Sequence, residues 1–168
     1  GYFEVTALSR DDLSRNEMYK ANLKRQHQEA SFTDYHDYLL SLKMKAEILP
    51  FSPMYMARIA QLTNKSNQFN LTTRRYTENE IQSLSISSEH ICLCGQLSDK
   101  FGDNGIVSVV IGKKCSEQLD IELWLMSCRV LKRDMELAML DQLVKLSKEA
   151  GITRINGYYL KTAKNNMV

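Results

Sequence analysis

The sequence has little net charge, no long apolar run and few cysteines, and each shortage argues against a class of protein. Its 22 Lys and Arg against 20 Asp and Glu give a net charge of +2, and the basic residues are scattered. A nucleic-acid-binding surface is therefore not expected. No apolar stretch approaches the ~20 residues that a membrane span needs, and the N-terminus lacks the basic and then apolar layout of a signal peptide. We expect a soluble, cytoplasmic protein without a nucleic-acid or membrane partner.

The four cysteines occur at 92, 94, 115 and 128. A chain this long and apolar does not need disulfides, so we expect reduced thiols. His90, Cys92 and Cys94 would share one face of a strand, because side chains alternate along it. Zinc sites separate their cysteines by two to four residues, however, and no second ligand cluster is present in the sequence. Strand packing is the expected role of these residues, and no metal is expected.

Hydrophobic periodicity predicts one α/β domain with a single core. A short extended N-terminal piece precedes helices over about 11–29, with Ser9 at the cap, and about 32–42, with Ser31 at the cap. The remaining predicted elements are a strand at 44–51, a helix at 53–65, a helix from Glu78, strands "HICLCGQL", "GIVSVVIG" and "LDIELWLMS", a helix from about Leu131 and a strand "ITRINGYYL". Asn104-Gly105 predicts a hairpin turn between the strands "HICLCGQL" and "GIVSVVIG".

The stretch "SCRVLKRDME", residues 127–136, carries a strand into a helix. The first turn of a helix has unpaired N–H groups that bind anions, and Arg129, Lys132 and Arg133 add positive charge there. The alternative is an ordinary helix start, in which Asp134 complements the helix dipole. Both interpretations stay open at this point.

Cys128 lies in the same stretch, beside Arg129 and a helix N-terminus. That setting favours a reactive thiolate and therefore a nucleophilic role. Most cysteines at the end of a core strand are buried and inert, which is the alternative.

The stretch "NQFNLTTRRY", residues 67–76, is predicted to form a loop between two helices. Its planar donors and hydroxyls are Asn67, Gln68, Asn70, Thr72, Thr73, Arg74 and Arg75. Such a set is suited to holding phosphate or carboxylate, with arginine offering a bidentate fork. The alternative is a solvated loop whose Asn and Thr side chains cap neighbouring backbone.

Four segments in order, "RIAQLTNKSNQFNLTTRRYTENEI", "DKFGDNGIVSVVI", "LWLMSCRVLKR" and "TAKNNMV", resemble the C-terminal half of FkbH-like proteins. In that family this half follows an N-terminal HAD-type phosphatase domain of subfamily IIIC. The resemblance covers nearly the whole chain, and "NQFNLTTRRY" is its most specific element.

The resemblance implies a GNAT-like acyltransferase fold of the α/β (α+β) class, with a mixed, mostly antiparallel central sheet flanked by helices. It also implies that residues 1–43 are a helical linker from the HAD half and that residues 44–168 are the GNAT-like domain. FkbH-like proteins take a glyceryl group from 1,3-bisphosphoglycerate and load it onto an acyl carrier protein. The aspartates of the HAD half are absent here, so no phosphatase activity is expected from this chain.

The resemblance further implies a cofactor-binding turn. The GNAT pattern R/Q-x-x-G-x-G/A, whose backbone amides hold the pyrophosphate of coenzyme A, aligns with Arg129, Val130, Leu131, Lys132, Arg133 and Asp134. Lys132 and Asp134 stand where glycines are usual, so a carrier-borne phosphopantetheine, with one phosphodiester, is less penalised than coenzyme A. Asn165 aligns with an asparagine that contacts pantetheine in GNAT enzymes.

The leading hypothesis is transfer of a glyceryl-type or other small acyl group to a phosphopantetheine thiol on an acyl carrier protein. Glu122 is the candidate general base, Cys128 the candidate transient acyl carrier, and residues 67–76 the candidate grip on an acidic substrate. The alternative is a catalytically degenerate module that docks a carrier protein or the HAD domain.

The C-terminus departs from the family. Lys161 replaces a proline of the pattern "PTxKNxxV", and the family continues beyond the position of Val168 into a helix bearing "DFY". We expect a domain incomplete at its C-terminus, without the tyrosine that protonates the leaving thiolate. An uncovered sheet edge of this kind also favours a dimer that exchanges strands.

Overall fold

The computed structural model describes the backbone of residues 2–65 and 68–168 and the side chains of residues 13–65 and 68–168. The helices are α1 Tyr2–Ala30, α2 Tyr35–Ser41, α3 Met56–Lys65, α4 Glu78–Ser85 and α5 Met135–Glu149. The strands are β1 Lys45–Pro50, β2 Phe69–Asn70, β3 His90–Asp99, β4 Gly102–Cys115, β5 Gln118–Met126 and β6 Arg154–Gly157. Within the described residues, no helix combines the length and the apolar character of a membrane span.

The strands form one sheet in the order β1-β3-β4-β5-β2, and β6 also pairs with β5. β5 is antiparallel to β4 and β2 and parallel to β6. The predicted mixed sheet flanked by helices is therefore confirmed.

Two short strands divide the outer edge of β5 between them. β6 pairs with the first half of β5, from Gln118 to Ile121, and β2 pairs with its end, at Leu125 and Met126. Between them, the Leu71 amide donates to the Trp124 carbonyl. The edge is thus covered along most of its length by the chain itself.

A bulge interrupts the pairing of β5 with β4. Ile111 pairs with Leu123 and the next residue, Gly112, pairs with Ile121, so Glu122 is an extra residue on β5. A Cβ at Gly112 would lie 2.9 Å from the Leu119 side chain, so a larger residue there would require Leu119 to move. A bulge turns the extra residue away from the regular alternation of the strand.

Helices cover the sheet because their apolar faces match its buried side chains. Ile59, Leu62 and Ile81 of α3 and α4 join the core cluster of β3, β4 and β5. Gly95 of β3 faces α5 so closely that a Cβ would lie 2.4 Å from the Met135 side chain. The predicted capping box that starts α4, with Thr77 and Glu80, is confirmed.

The chain divides into two compact units. One comprises the chain up to Lys45 together with Ser98–Asp103, and the other comprises Ala46–Leu97 and Asn104–Val168. In the first unit, Arg25 binds the carboxylate of Asp99 through two hydrogen bonds of 2.6 and 2.8 Å. The predicted origin of residues 1–43 as a linker from an HAD half stays a prediction.

Three predictions for the N-terminal helices were wrong. The first residues are helical from Tyr2 instead of extended, and α1 passes through Ser9 without a cap there. A continuous helix satisfies these backbone groups internally and needs no cap at that point. In α2 the cap is Asp34 rather than Ser31, and its carboxylate accepts from the His36 amide.

The predicted turn at Asn104-Gly105 was also wrong. The chain reverses at Lys100 and Phe101, because the Asp99 carboxylate accepts from the Phe101 and Gly102 amides and closes the turn there. Gly105 instead takes a positive φ of 65° inside β4.

Two boundaries differ from prediction further along the chain. Helix α5 begins at Met135, not at about Leu131, because Lys132 and Asp134 have left-handed backbones that a helix excludes. Within the predicted loop of residues 67–76, Phe69 and Asn70 form β2, since the end of β5 offers them an edge to pair with.

Candidate functional site

A cavity of about 580 Å³ opens at the end of β5. Its walls bring together positive side chains from three parts of the chain: Arg58 and Lys65 of α3, Arg129 after β5, and Lys164 near the C-terminus. None of the described residues that line it is an Asp or Glu. Cys128 lies in the same wall with an exposed side chain. Such a cavity is suited to an anionic ligand.

Two of these cations are close enough to repel each other. Burial, and then the positive charge of Arg129, lower the pKa of Arg58. An anion bound between the two guanidinium groups would offset this repulsion and accept charge-assisted hydrogen bonds from both.

The turn after β5 has the backbone shape that glycine normally supplies. Lys132 and Asp134 both have φ of 62°, which is the left-handed region that residues with a Cβ rarely adopt. These are the two positions where the resemblance predicts glycine. The turn therefore keeps a glycine-like conformation although its side chains differ.

The first amides of this turn face inward. The Arg129 amide donates to Ser127 Oγ at 3.4 Å, and the Val130 amide donates to the Ser127 carbonyl at 3.2 Å. The Val130 side chain is fully buried and Leu131 is half-buried. Any contact of backbone amides with a phosphate must therefore come from residues after Val130, such as Arg133, which stays a predicted binding residue.

Glu122, the extra residue of the β5 bulge, faces two basic side chains. Its Oε1 lies 3.7 Å from Arg74 Nη1, and its Oε2 lies 3.9 Å from His90 Nε2. The Glu122 side chain is 24% exposed, so it is within reach of a ligand. Strand alternation alone could not show which way the Glu122 side chain points. The bulge explains its direction, because Glu122 is an extra residue on β5.

His90, which sequence reasoning did not single out for catalysis, belongs to the same cluster. Ser87 Oγ lies 2.8 Å from its Nδ1, and the Glu89 amide donates to the same oxygen at 3.3 Å. The signal in the sequence is the Ser-x-x-His spacing between α4 and β3. Its meaning depends on Glu122, which is brought to His90 only by the sheet.

Cys92 and Cys94 are packing residues. Burial raises the pKa of Cys94 to about 11, and burial together with the charge of Glu122 raises that of Cys92 to about 12. Their thiols donate to the carbonyls of Leu84 and Pro50. Within the described part of the chain, no three His, Cys, Asp or Glu side chains form a group that could hold a metal ion.

Most polar groups of the predicted grip face the protein. Asn70 Oδ1 accepts from the Thr73 amide at 3.0 Å, and Thr72 Oγ1 donates to the Glu122 carbonyl at 2.6 Å. Arg75 Nη1 donates to the Thr63 carbonyl at 3.0 Å. Asn67 lies outside the described residues.

Arg74 differs from these neighbours, because 55% of its side chain is exposed while it faces Glu122. The preceding Thr73 has a φ of 57°, which is a costly conformation for a β-branched residue. Backbone strain of this kind persists where the surrounding structure holds it, and it is common at functional sites. Arg74 is therefore the member of the set best placed to contact a ligand.

Asn165 is fully buried and holds the C-terminal segment in place. Its Oδ1 accepts from the Thr162 amide, and its Nδ2 donates to the carbonyls of Asn70 and Leu160, both at 2.9 Å. A pantetheine contact would require some of these bonds to break.

The two predicted catalytic residues belong to different places. Glu122 precedes the end of β5 by four residues, about 13 Å of strand at 3.3 Å per residue, whereas Cys128 follows that end and lines the cavity. The structure therefore pairs Glu122 with His90 and Arg74, and Cys128 with the cationic side chains.

Comparisons with known proteins show the fold. No family model and no curated protein sequence matches the chain. The ribosomal-protein-S18-alanine N-acetyltransferase from Escherichia coli superposes with a TM-score of 0.50 and 10% identity, over 66% of this chain and 64% of the other. This chain thus spans less than two thirds of that enzyme's length.

Two further structures agree. A GNAT-family acetyltransferase from Streptococcus pneumoniae has a TM-score of 0.52 and 16% identity, over 66% of this chain and 72% of the other. AAC(6')-Iy, in complex with the bisubstrate analogue CoA-S-monomethyl-acetylneamine, has a TM-score of 0.54 and 7% identity, over 73% and 83%. The chain therefore has a GNAT acetyltransferase fold, and identities this low establish nothing beyond the fold.

Proposed function

We propose that this chain is an acyltransferase domain that moves a small acyl group to the thiol of a phosphopantetheine arm. The observation that carries this proposal is the cationic cavity beside the turn of residues 129–134, within a GNAT fold. The solved relative AAC(6')-Iy holds a coenzyme A conjugate, and coenzyme A shares the phosphopantetheine group.

The charges favour one phosphodiester over a pyrophosphate. Arg58 of α3 and Arg129 after β5 offer forked donors to the cavity, and Lys65 and Lys164 contribute point charges. Asp134 adds a negative charge to the turn itself, which opposes a second phosphate there. The phosphopantetheine of a carrier protein, rather than coenzyme A, is therefore the preferred ligand.

Two routes for the acyl group are consistent with the site. In direct transfer, the pantetheine sulfur attacks the acyl carbon, its proton passes to Glu122, and the bond from that carbon to the donor breaks. In covalent transfer, the Cys128 thiol loses its proton to solvent and Sγ forms a thioester with the acyl carbon as the bond from that carbon to the donor breaks. The pantetheine thiol then attacks the thioester, the bond from the acyl carbon to Cys128 Sγ breaks, and Cys128 regains a proton as the pantetheine sulfur loses its own. Because Glu122 and Cys128 lie apart, the direct and covalent routes are alternatives and not parts of one step.

The resemblance to FkbH-like proteins supports a finer assignment. The acyl group would be glyceryl or similar, the partners an acyl carrier protein and an HAD-type domain, and the compartment the cytoplasm. Arg74, exposed beside Glu122, would then contact the polar acyl group.

The test is calorimetric titration of the 168-residue chain with coenzyme A, apo carrier protein and holo carrier protein, followed by assays of acyl loading. We expect the double variant Arg58→Ala/Arg129→Ala to weaken holo-carrier binding at least about tenfold, since each charged hydrogen bond contributes about 1.5–3 kcal/mol. Lys145→Ala, an exposed change on α5, is the control and should bind normally. Equal binding of apo and holo carrier would contradict a pantetheine site.

The routes are separated by single variants. Loading at the wild-type rate by Cys128→Ala excludes the covalent route, whereas loss of loading in this variant with retention in Glu122→Gln excludes the direct one.

A docking module without chemistry is the second candidate. The observation that favours it is the closed outer edge of β5. β2 pairs with Leu125 and Met126, the Leu71 amide donates to the Trp124 carbonyl, and Thr72 donates to the Glu122 carbonyl, so these backbone groups are already occupied by the chain itself. Binding of holo carrier without acyl transfer from any activated donor would support this alternative.

A further inference from the structure

Three separate features converge on one carboxylate. The bulge of β5 makes Glu122 an extra residue whose Oε2 lies 3.9 Å from His90 Nε2 of β3. The left-handed Thr73 comes immediately before Arg74, and Ser87 lies within hydrogen-bond distance of the His90 ring. They come from four segments of the chain: β5, the segment of Thr73 and Arg74, the residues after α4, and β3. They consist of a strand bulge, a left-handed residue and a side-chain contact. Their convergence indicates a built arrangement around Glu122.

We propose that His90 is a positioning residue that orients the Glu122 carboxylate for proton transfer, and that Ser87 in turn fixes the His90 ring. The inference rests on the proposed acyl transfer, because it assigns a role within that reaction. It adds a residue that neither the cationic cavity nor the predicted grip contains.

His90 faces the Glu122 carboxylate with Nε2 and faces Ser87 with Nδ1. Ser87 Oγ accepts the Glu89 amide at 3.3 Å, so its own hydrogen can point to His90 Nδ1, 2.8 Å away. A neutral His90 then carries its hydrogen on Nε2, the nitrogen nearest to Glu122. In this arrangement the ring can donate from Nε2 to the carboxylate.

The two oxygens of Glu122 have different partners. Arg74 faces Oε1 and His90 faces Oε2, so rotation of the carboxylate is opposed from both sides. The 3.9 Å gap to His90 is longer than a hydrogen bond, and such contacts in unliganded sites commonly shorten when substrate binds. His90 is 14% exposed, which leaves the carboxylate, not the imidazole, to contact substrate.

Charged and titratable groups approach the cluster from several elements. They are Glu122 of β5, Arg74 and Tyr76 of the segment before α4, Cys92 and Glu89 beside His90, and Lys114 of β4. Lys114 is held by the Ser88 carbonyl, and the thiol of Cys92 stays protonated below pH of about 12. Glu122 is thus the anion that a charged His90 would contact.

Steady-state kinetics of acyl loading tests the role. We expect His90→Ala to lower kcat about tenfold to a hundredfold with KM nearly unchanged, as misplacement of a catalytic group does. His90→Gln, whose amide can donate to Glu122, should recover part of the rate. His36→Gln, an exposed change on α2, is the matched control. In a Glu122→Gln background, His90→Ala should cost almost nothing more, because His90 acts through Glu122.

A second readout does not need activity. Nitrogen NMR of the neutral His90 ring should show its hydrogen on Nε2, and Glu122→Gln should shift the Nε2 signal because that nitrogen faces the carboxylate. Ser87→Ala should shift the Nδ1 signal, whereas Glu89→Gln should change the ring signals less than Glu122→Gln does.

The outcomes separate the two proposals. An active wild-type chain in which the effects of His90→Ala and Glu122→Gln simply multiply overturns the positioning role alone. An inactive wild-type chain overturns acyl transfer, and the NMR spectrum of the His90 ring then decides whether the His90–Glu122 pair exists. His90 ring signals unchanged by Glu122→Gln overturn the pair in either case.

Discussion

At the residue scale, the turn after β5 adopts backbone conformations that are typical of glycine although it contains no glycine. Lys132 and Asp134 occupy left-handed positions, although each non-glycine residue there costs about 1–2 kcal/mol. Asp134 is also the residue before α5, and its side chain makes no capping hydrogen bond to the helix. The Asp134 carboxylate therefore does not offset the strain of its own backbone by capping α5.

The first prediction concerns this residue. Asp134→Gly should raise the free energy of unfolding by up to about 1 kcal/mol, because glycine adopts this backbone without strain. The same change should strengthen binding of holo carrier protein, since a negative charge leaves the turn. Urea denaturation and calorimetry measure the two effects.

The matched control is Asp141→Gly, an exposed position inside α5, which should lower stability by about 1 kcal/mol. A fall in stability for Asp134→Gly would show that its side chain makes contacts that outweigh the backbone strain.

The second prediction concerns the thiols. At pH 8, Cys128 should react rapidly with a disulfide reagent because it is exposed, and Cys115, which is also exposed, should react more slowly because desolvation and Asp120 raise its pKa. Cys92 and Cys94 should stay unreactive until the protein unfolds, because their raised pKa values keep them protonated. Timed thiol titration in native buffer and in denaturant checks this, and four equally fast thiols in native buffer would contradict it.

The same shifts set a direction for alkaline stability. An unfolded thiol ionises from about pH 8.5–9, whereas the folded Cys94 and Cys92 ionise only near 11 and 12. The stability from keeping them neutral is therefore complete below pH 8.5 and is lost as pH rises through 11–12.

At the element scale, the β5 bulge shows why regular periodicity misses a site. Alternation along β5 places Leu119, Ile121, Leu123 and Leu125 in the core, but it cannot reveal that Glu122 is an extra residue. That depends on the register with β4, which no local pattern contains. Helices and strands could be predicted because they depend on residues close in sequence. The direction of the Glu122 side chain instead depends on the pairing of β5 with its neighbour β4.

The third prediction belongs to the N-terminal unit. Arg25→Met should lower stability by about 3–5 kcal/mol, because it leaves the fully buried Asp99 carboxylate without its cation. Lys24→Met, an exposed change on the same helix, should change it by less than about 0.5 kcal/mol. Thermal denaturation with hydrogen exchange of α1 and α2 would localise the loss. Equal stability of the two variants would mean that this ion pair contributes little.

At the scale of the whole molecule, the sequence predicted the fold better than the site. The order of most elements and the mixed sheet followed from periodicity and from the family resemblance. The sequence predicted an anion-binding site at Arg129, which stays a prediction. The other cations of the cavity that Arg129 lines, Arg58, Lys65 and Lys164, come from segments that only the folded chain brings together. Single residues of the predicted grip, such as Thr72 and Arg75, instead bind backbone carbonyls.

The divided outer edge of β5 has a consequence for how the protein folds. Its partners β2 and β6 lie far before and far after it in the chain, so their pairing requires large loops to close, whereas β4 is the adjacent strand. We expect the β4–β5 hairpin to form early and the edge to close late. Pulsed hydrogen exchange during refolding should protect the Ser127 amide, bonded to Val107, before the Leu71 amide, bonded to Trp124. Glu122 would then acquire its surroundings among the last parts of the molecule.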